Sequence, residues 1–230
     1  MAVVFRSDVA GKKRYSDYRE DLRKDFLYSC AYCSMMEYES NAIRFEIEHY
    51  LPQKHHPELK NEYDNLMWSC EKCNSFKGDY APDELARKRD NVIIKIDEED
   101  PRQHIELSGL RLESKTHKGE FNIEILDLNR QHLRRLREIR ERFWKSREYI
   151  EQGIRILSTK IALDRLDKKD RFGVTKMKKQ LIHRGESFDD ELACILKKFA
   201  CSPLIDEDPE KKQRMRTRKK YLKDQKAILF

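Results

Sequence analysis

The sequence has little chain punctuation, with 7 Gly and 6 Pro among 230 residues. So few breakers, beside a charged fraction of 40% where ~25% is usual, disfavour an all-β sandwich and favour long solvated helices. No apolar run approaches the ~18 to 20 residues needed to cross a bilayer. The opening Met1 to Phe5 is too short for a secretory core before Arg6 and Asp8. These absences make a soluble, cytoplasmic chain with no membrane partner the expectation. There is no Gly-x-x-x-x-Gly-Lys-Ser/Thr loop to cradle ATP and no internal repeat. Cysteine is also scarce, at six, but four of the six fall in two Cys-x-x-Cys pairs of a large, lysine-rich chain. A disulfide framework suits small exported proteins, so metal is the better reading of these pairs.

What is present is positive charge and local period. Lys+Arg 49 against Asp+Glu 42 leaves +7, which suits a polyanionic partner. Tyr15, Tyr18, Leu22 and Phe26 recur every three or four residues, predicting a helix that leads into Cys30. Ile43, Phe45 and Ile47 alternate with charges, predicting a strand that ends at Glu48-His49. Residues 50–64 read as a loop, in which His55 and His56 are taken as solvated surface. The stretch 81–125 reads as a connector with short strands, one of them the β-prone run Val92 to Ile96. Asn129 is a good N-cap for a helical stripe of Leu133, Leu136, Ile139 and Phe143, continued by Ile150, Ile154, Leu157 and Ile161. Phe188 to Phe199 suggests one more helix, with Cys194 and Cys201 as buried thiols near its end. Two stretches are strongly basic: 130–148, and the tail 211–226, which sets nine Lys/Arg against Asp224. Each has a bland account as a solvated face and a functional one as a phosphate-backbone contact.

The chemistry is concentrated between residues 30 and 79. Cys30-Ala31-Tyr32-Cys33 and Cys70-Glu71-Lys72-Cys73 supply four thiolates, the soft set that tetrahedral Zn²⁺ prefers, and a closed four-sulfur site is structural. Tyr32, Tyr38, Trp68, Met35 and Met36 are expected to pack around it. The 36 residues between the pairs exceed the usual knuckle spacing, so something is inserted. Glu48-His49 lies there, with Asn65 before the second pair and Asn74 and Lys77-Gly78 just after it. Taken singly, a histidine at a strand end is more often structural than catalytic, and an asparagine is usually a cap or turn residue.

Their joint pattern resembles the HNH endonucleases of the ββα-metal superfamily: Ile47-Glu48-His49-Tyr50-Leu51-Pro52, then Asn65-Leu66, then Cys70-x-x-Cys73-Asn74-Ser75-Phe76-Lys77-Gly78. A looser likeness, through Asp100-Pro101-Arg102-Gln103-His104 and Ile125 to Arg130 with the basic helix after it, is to the PtuB-like HNH subunits of Septu and retron anti-phage systems. The resemblance implies an α+β chain: a zinc-braced ββα-metal catalytic domain at 1–80, the connector 81–125, and a mainly helical, basic domain at 126–230. It implies a metal-dependent endonuclease that hydrolyses phosphodiester bonds of nucleic acid, DNA favoured, as the effector of a prokaryotic anti-phage complex with an ABC-type, PtuA-like ATPase partner in a hetero-oligomer. His49 is then the general base, Glu48 and Asn74 hold catalytic Mg²⁺ or Mn²⁺, Asn65 orients the loop that carries the base, and Lys77 contacts a phosphate. The alternatives are a non-catalytic zinc-stabilised nucleic-acid-binding or adaptor subunit, and an HNH nuclease acting on RNA or tRNA.

Overall fold

The computed structural model describes residues 4, 6–9, 11, 14–40, 42–159, 166–186 and 208–227. The expected helix 188–199 and Cys194 and Cys201 lie outside the described residues, as does Ile161. The chain divides into two compact units, residues 1–134 together with 201–230, and residues 135–200.

The first unit is mixed α and β. A 3-10 turn, Tyr15–Tyr18, runs into α1, Arg19–Asp25, whose apolar positions Leu22 and the following Phe26 are buried. β1, Phe45–His49, pairs antiparallel with β2, Leu66–Cys70, with Phe45 opposite Cys70 and His49 opposite Leu66. α2, Glu71–Lys77, starts at the residue after β2, which completes a β-β-α unit. All five residues of β2 are buried. Trp68 is at the centre: the Arg19 guanidinium lies 4.9 Å from its ring centroid, and its Nε1 donates to Glu37 Oε1 at 2.9 Å. Fully burying a side chain such as Leu22, Phe26 or Leu66 contributes about 1.5 to 3 kcal/mol. Tyr38, expected in the packing, is instead 60% exposed.

After α3, Glu84–Lys88, the run Val92 to Ile96 is not a strand. Three of its backbone groups bond to side chains: Asn122 Oδ1 accepts from Ile94 N–H at 2.9 Å, Asn122 Nδ2 donates to Val92 O at 2.8 Å, and Tyr50 Oη donates to Ile93 O at 2.7 Å. Ile93 and Ile94 are buried all the same. The second sheet is a hairpin of β3, Ile105–Ser108, and β4, Arg111–Ser114. Its two-residue turn begins with Gly109 at φ +57°, a conformation in which glycine carries no steric cost. α4, His117–Ile125, begins with Thr116 as N-cap and supplies buried Phe121, Ile123 and Ile125. Asn129, expected to cap a helix, clasps both backbone groups of Leu112 on β4.

α5, Gln131–Thr159, realises the two apolar stripes as one helix. α6, Lys168–Glu186, was not anticipated by the apolar pattern. The basic tail is also helical, as α7, Lys211–Ala227. Among the described residues, no helix is long and apolar enough to cross a membrane.

Candidate active site

Two short segments bring four cysteines together. Cys30 N–H donates to Met35 O and Ala31 N–H to Trp68 O, each at 2.8 Å, so the first pair is pinned against β2. The second pair spans the β2–α2 junction. The four Sγ atoms all lie within 4.8 Å of one another, and Cys33 and Cys70 are 3.9 Å apart, near the ~3.8 Å edge of a tetrahedron with ~2.3 Å metal–sulfur bonds. None of the four is disulfide-bonded. Burial opposes ionisation of Cys30, but hydrogen bonds from the other three thiols hold its pKa well below the usual thiol range. Cys70 and Cys73 are pushed up, chiefly by the neighbouring Cys30 and Cys33. Four thiol sulfurs at this spacing could hold a metal ion, which would deprotonate the thiols it coordinates.

Arg130 is part of this centre. Its Nη2 lies 3.3 Å from Cys73 Sγ, its Nη1 donates to Leu126 O and Asp127 O, and it is buried. It falls in a basic stretch read either as a solvated face or as a phosphate contact, and it is neither. The same holds for Arg214, paired with Asp127 and Asp208, and for Arg218, which donates to the carbonyls of Ile125 and Phe76. These guanidiniums hold the fold together.

Beside the cysteines, the hairpin ends in Glu48 and His49. Glu48 is 3% exposed, with Oε1 2.5 Å from Lys77 Nζ and Oε2 accepting from the Tyr32 hydroxyl. Burial raises its pKa, opposed first by the charge of Lys77. Lys77, one helical turn after Cys73, has a side chain only 1% exposed and also donates to His49 O at 2.9 Å, so it faces Glu48 and not solvent. Asn74 Nδ2 donates to Glu46 Oε1 at 2.7 Å, which leaves its Oδ1 as a donor for a cation. Glu46 and Glu48, two apart on β1, share a face.

His49 is held at both ring nitrogens. Nε2 lies 2.9 Å from Lys60 O and Nδ1 lies 3.1 Å from Gln53 Nε2. A carbonyl only accepts, so Nε2 carries the proton and Nδ1 is the basic atom. The Tyr15 ring meets the imidazole edge-on at 5.0 Å. Asn65 is buried and clasps the loop: Oδ1 accepts from Leu51 N–H at 2.8 Å, and Nδ2 donates to Leu51 O and Leu59 O.

Every motif residue thus lies on one β-β-α unit or the loop within it. Sequence reasoning missed Glu46, Gln53 and Arg130, and it took Tyr32 for packing. Glu46 had a signal, since it shares the strand face of Glu48. Gln53 and Arg130 had none, because Gln53 is placed by a loop and Arg130 by the junction before α5, 57 residues from Cys73.

The HNH endonuclease family matches residues 30–79. A Septu protein PtuB from Bacillus thuringiensis is 32% identical over 101 residues, which is 44% of this chain and 36% of that protein. The chain therefore aligns with about a third of that relative's length. No solved structure matches. The matched stretch holds both Cys pairs, the β1–β2 hairpin and α2, and the chain carries an HNH endonuclease domain at residues 30–79.

Proposed function

We propose that this chain is a metal-dependent endonuclease that hydrolyses phosphodiester bonds of nucleic acid, with DNA favoured, and that it is the effector of an anti-phage complex containing an ABC-type ATPase. The observation that carries the reading is that Glu48 and His49 end β1 and Asn74 lies on α2 of one β-β-α unit whose loop Asn65 clasps. The likeness to a Septu PtuB protein supports the defence role, and ATP dependence, where it is found, would come from the partner, since this sequence holds no Gly-x-x-x-x-Gly-Lys-Ser/Thr loop.

His49 takes a proton from water on Nδ1, while Nε2–H stays on the Lys60 carbonyl and fixes the ring. For water to reach Nδ1, the Gln53 amide swings aside. Asn65 holds Leu51 and Leu59, and so fixes the loop whose Lys60 carbonyl meets the ring. The oxygen donors of Glu48, Asn74 and Glu46 fit a hard cation, Mg²⁺ or Mn²⁺. When bound, that cation supplies positive charge against the charge developing on the phosphate. Lys77, buried against Glu48, is assigned to holding that carboxylate. Zn²⁺ is the metal proposed for the four cysteines, in a structural role, because the donor set is all sulfur.

The test is Mg²⁺-dependent cleavage of plasmid, single-stranded DNA and total RNA by the purified protein, with zinc content measured on the same sample. Plasmid cleavage lost on adding EDTA and in His49→Ala is expected, with about one zinc per chain. Cleavage of RNA alone would move the substrate to RNA. Inactivity even with a co-purified partner would leave an adaptor or nucleic-acid-binding subunit.

A further inference from the structure

Both groups that hold Glu48 hang from the cysteine pairs. Tyr32 sits inside the first Cys-x-x-Cys turn, and Lys77 lies four residues after Cys73 on α2. The turn is itself anchored, since Ala31 N–H donates to the carbonyl of Trp68, which pairs with Ile47 beside Glu48 on β1. The two oxygens of the carboxylate are divided between them, Oε2 taking the Tyr32 hydroxyl and Oε1 the Lys77 ammonium. The first pair is thus tied to β2 by backbone and to the end of β1 by one phenol.

We propose that Tyr32 is a positioning residue through which the four-cysteine centre sets the Glu48 carboxylate for the catalytic cation, with Lys77 as the second jaw of the clamp. The assignment rests on the nuclease reading above. A carboxylate on a strand end swings about its side-chain torsions, and a ligand held by outer partners loses less freedom when it binds a cation. Removing such a partner typically costs about 10- to 100-fold in metal affinity. The cysteine centre then does more than brace the fold, because an ordered knuckle is what presents the phenol to Glu48.

Tyr32→Phe removes the hydroxyl and keeps the ring. Mn²⁺ binding, followed by electron paramagnetic resonance, is compared in the full-length wild type, Tyr32→Phe and Glu48→Ala, with zinc content measured alongside. The expected result is Mn²⁺ affinity about tenfold weaker in Tyr32→Phe, zinc content unchanged, and cleavage restored by raising Mg²⁺ with KM for nucleic acid unmoved. Wild-type affinity in Tyr32→Phe, while Glu48→Ala loses Mn²⁺, would overturn the assignment and leave the nuclease reading intact. Loss of zinc from Tyr32→Phe would also overturn it, making Tyr32 a staple of the knuckle. A wild type that neither binds Mn²⁺ nor cleaves with its partner present would overturn both.

Discussion

His49 is only 8% exposed, and that burial, the largest influence on its ionisation, disfavours the imidazolium. The Lys60 carbonyl opposes the effect, while the charges of Lys77 and Lys60 add to it, so the pKa lies below the ordinary 6.5. A lowered pKa means the ring stays neutral as pH falls through 6.5 and is protonated only below it. The base form is therefore present throughout the neutral range. Single-turnover cleavage measured from pH 5 to 8 should show an acid limb centred below pH 6.5. An acid limb centred above 6.5 would contradict this placement of His49. Arg130 shows the opposite outcome at the same scale: burial disfavours its charge, yet the Cys73, Cys33 and Cys70 sulfurs overcome burial and hold its pKa above the usual arginine value.

At the scale of elements, α4 has to approach the segment before β3 closely for Thr116 and Lys115 to meet His104. Thr116 Oγ1 is 2.8 Å from His104 Nδ1 and also accepts from Gly119 N–H at 3.1 Å, while Lys115 N–H donates to His104 O at 2.7 Å. A Cβ on Gly119 would stand 2.0 Å from the His104 carbonyl oxygen, a backbone atom that cannot rotate away. Gly119→Ala should therefore cost about 1 to 3 kcal/mol by overpacking, despite alanine's better helix propensity. Gly173→Ala in α6, where nothing lies within 4 Å, should be stabilising by up to about 1 kcal/mol. Thermal unfolding of the two variants reads the contrast, and a Gly119→Ala melting temperature equal to wild type would show that α4 can shift.

At the scale of the whole molecule, the net charge of +7 is unevenly engaged. On α5, Arg142, Lys145 and Arg147 pair with Glu138, Glu141 and Glu151 one helical turn away, so these three cations offer a phosphate backbone little net charge. On α7, Arg214 and Arg218 are spent inside the first unit, but Arg216, Lys219, Lys220 and Lys223 are exposed. Replacing Lys219, Lys220 and Lys223 with Ala together should weaken nucleic-acid binding and reduce the salt slope by up to about 3, and replacing Arg142, Lys145 and Arg147 should reduce it less. Fluorescence anisotropy at several salt concentrations would read both slopes. Some of this was legible in the residue string. Four sulfurs at two-residue spacing carry their own coordination chemistry, and alternation at 43–48 fixes a strand face, because both are properties of chain geometry over a few residues. The HNH pattern was legible for the same reason, since its residues keep their order in the sequence. The tertiary structure decided which arginines are interior, that Val92 to Ile96 bonds to Asn122 and Tyr50 instead of to a strand, that Lys77 faces Glu48, and that Tyr32 reaches the same carboxylate. Each of these depends on which atoms from distant segments meet in space, and a buried hydrogen-bonding group takes whatever partner the packing brings within reach.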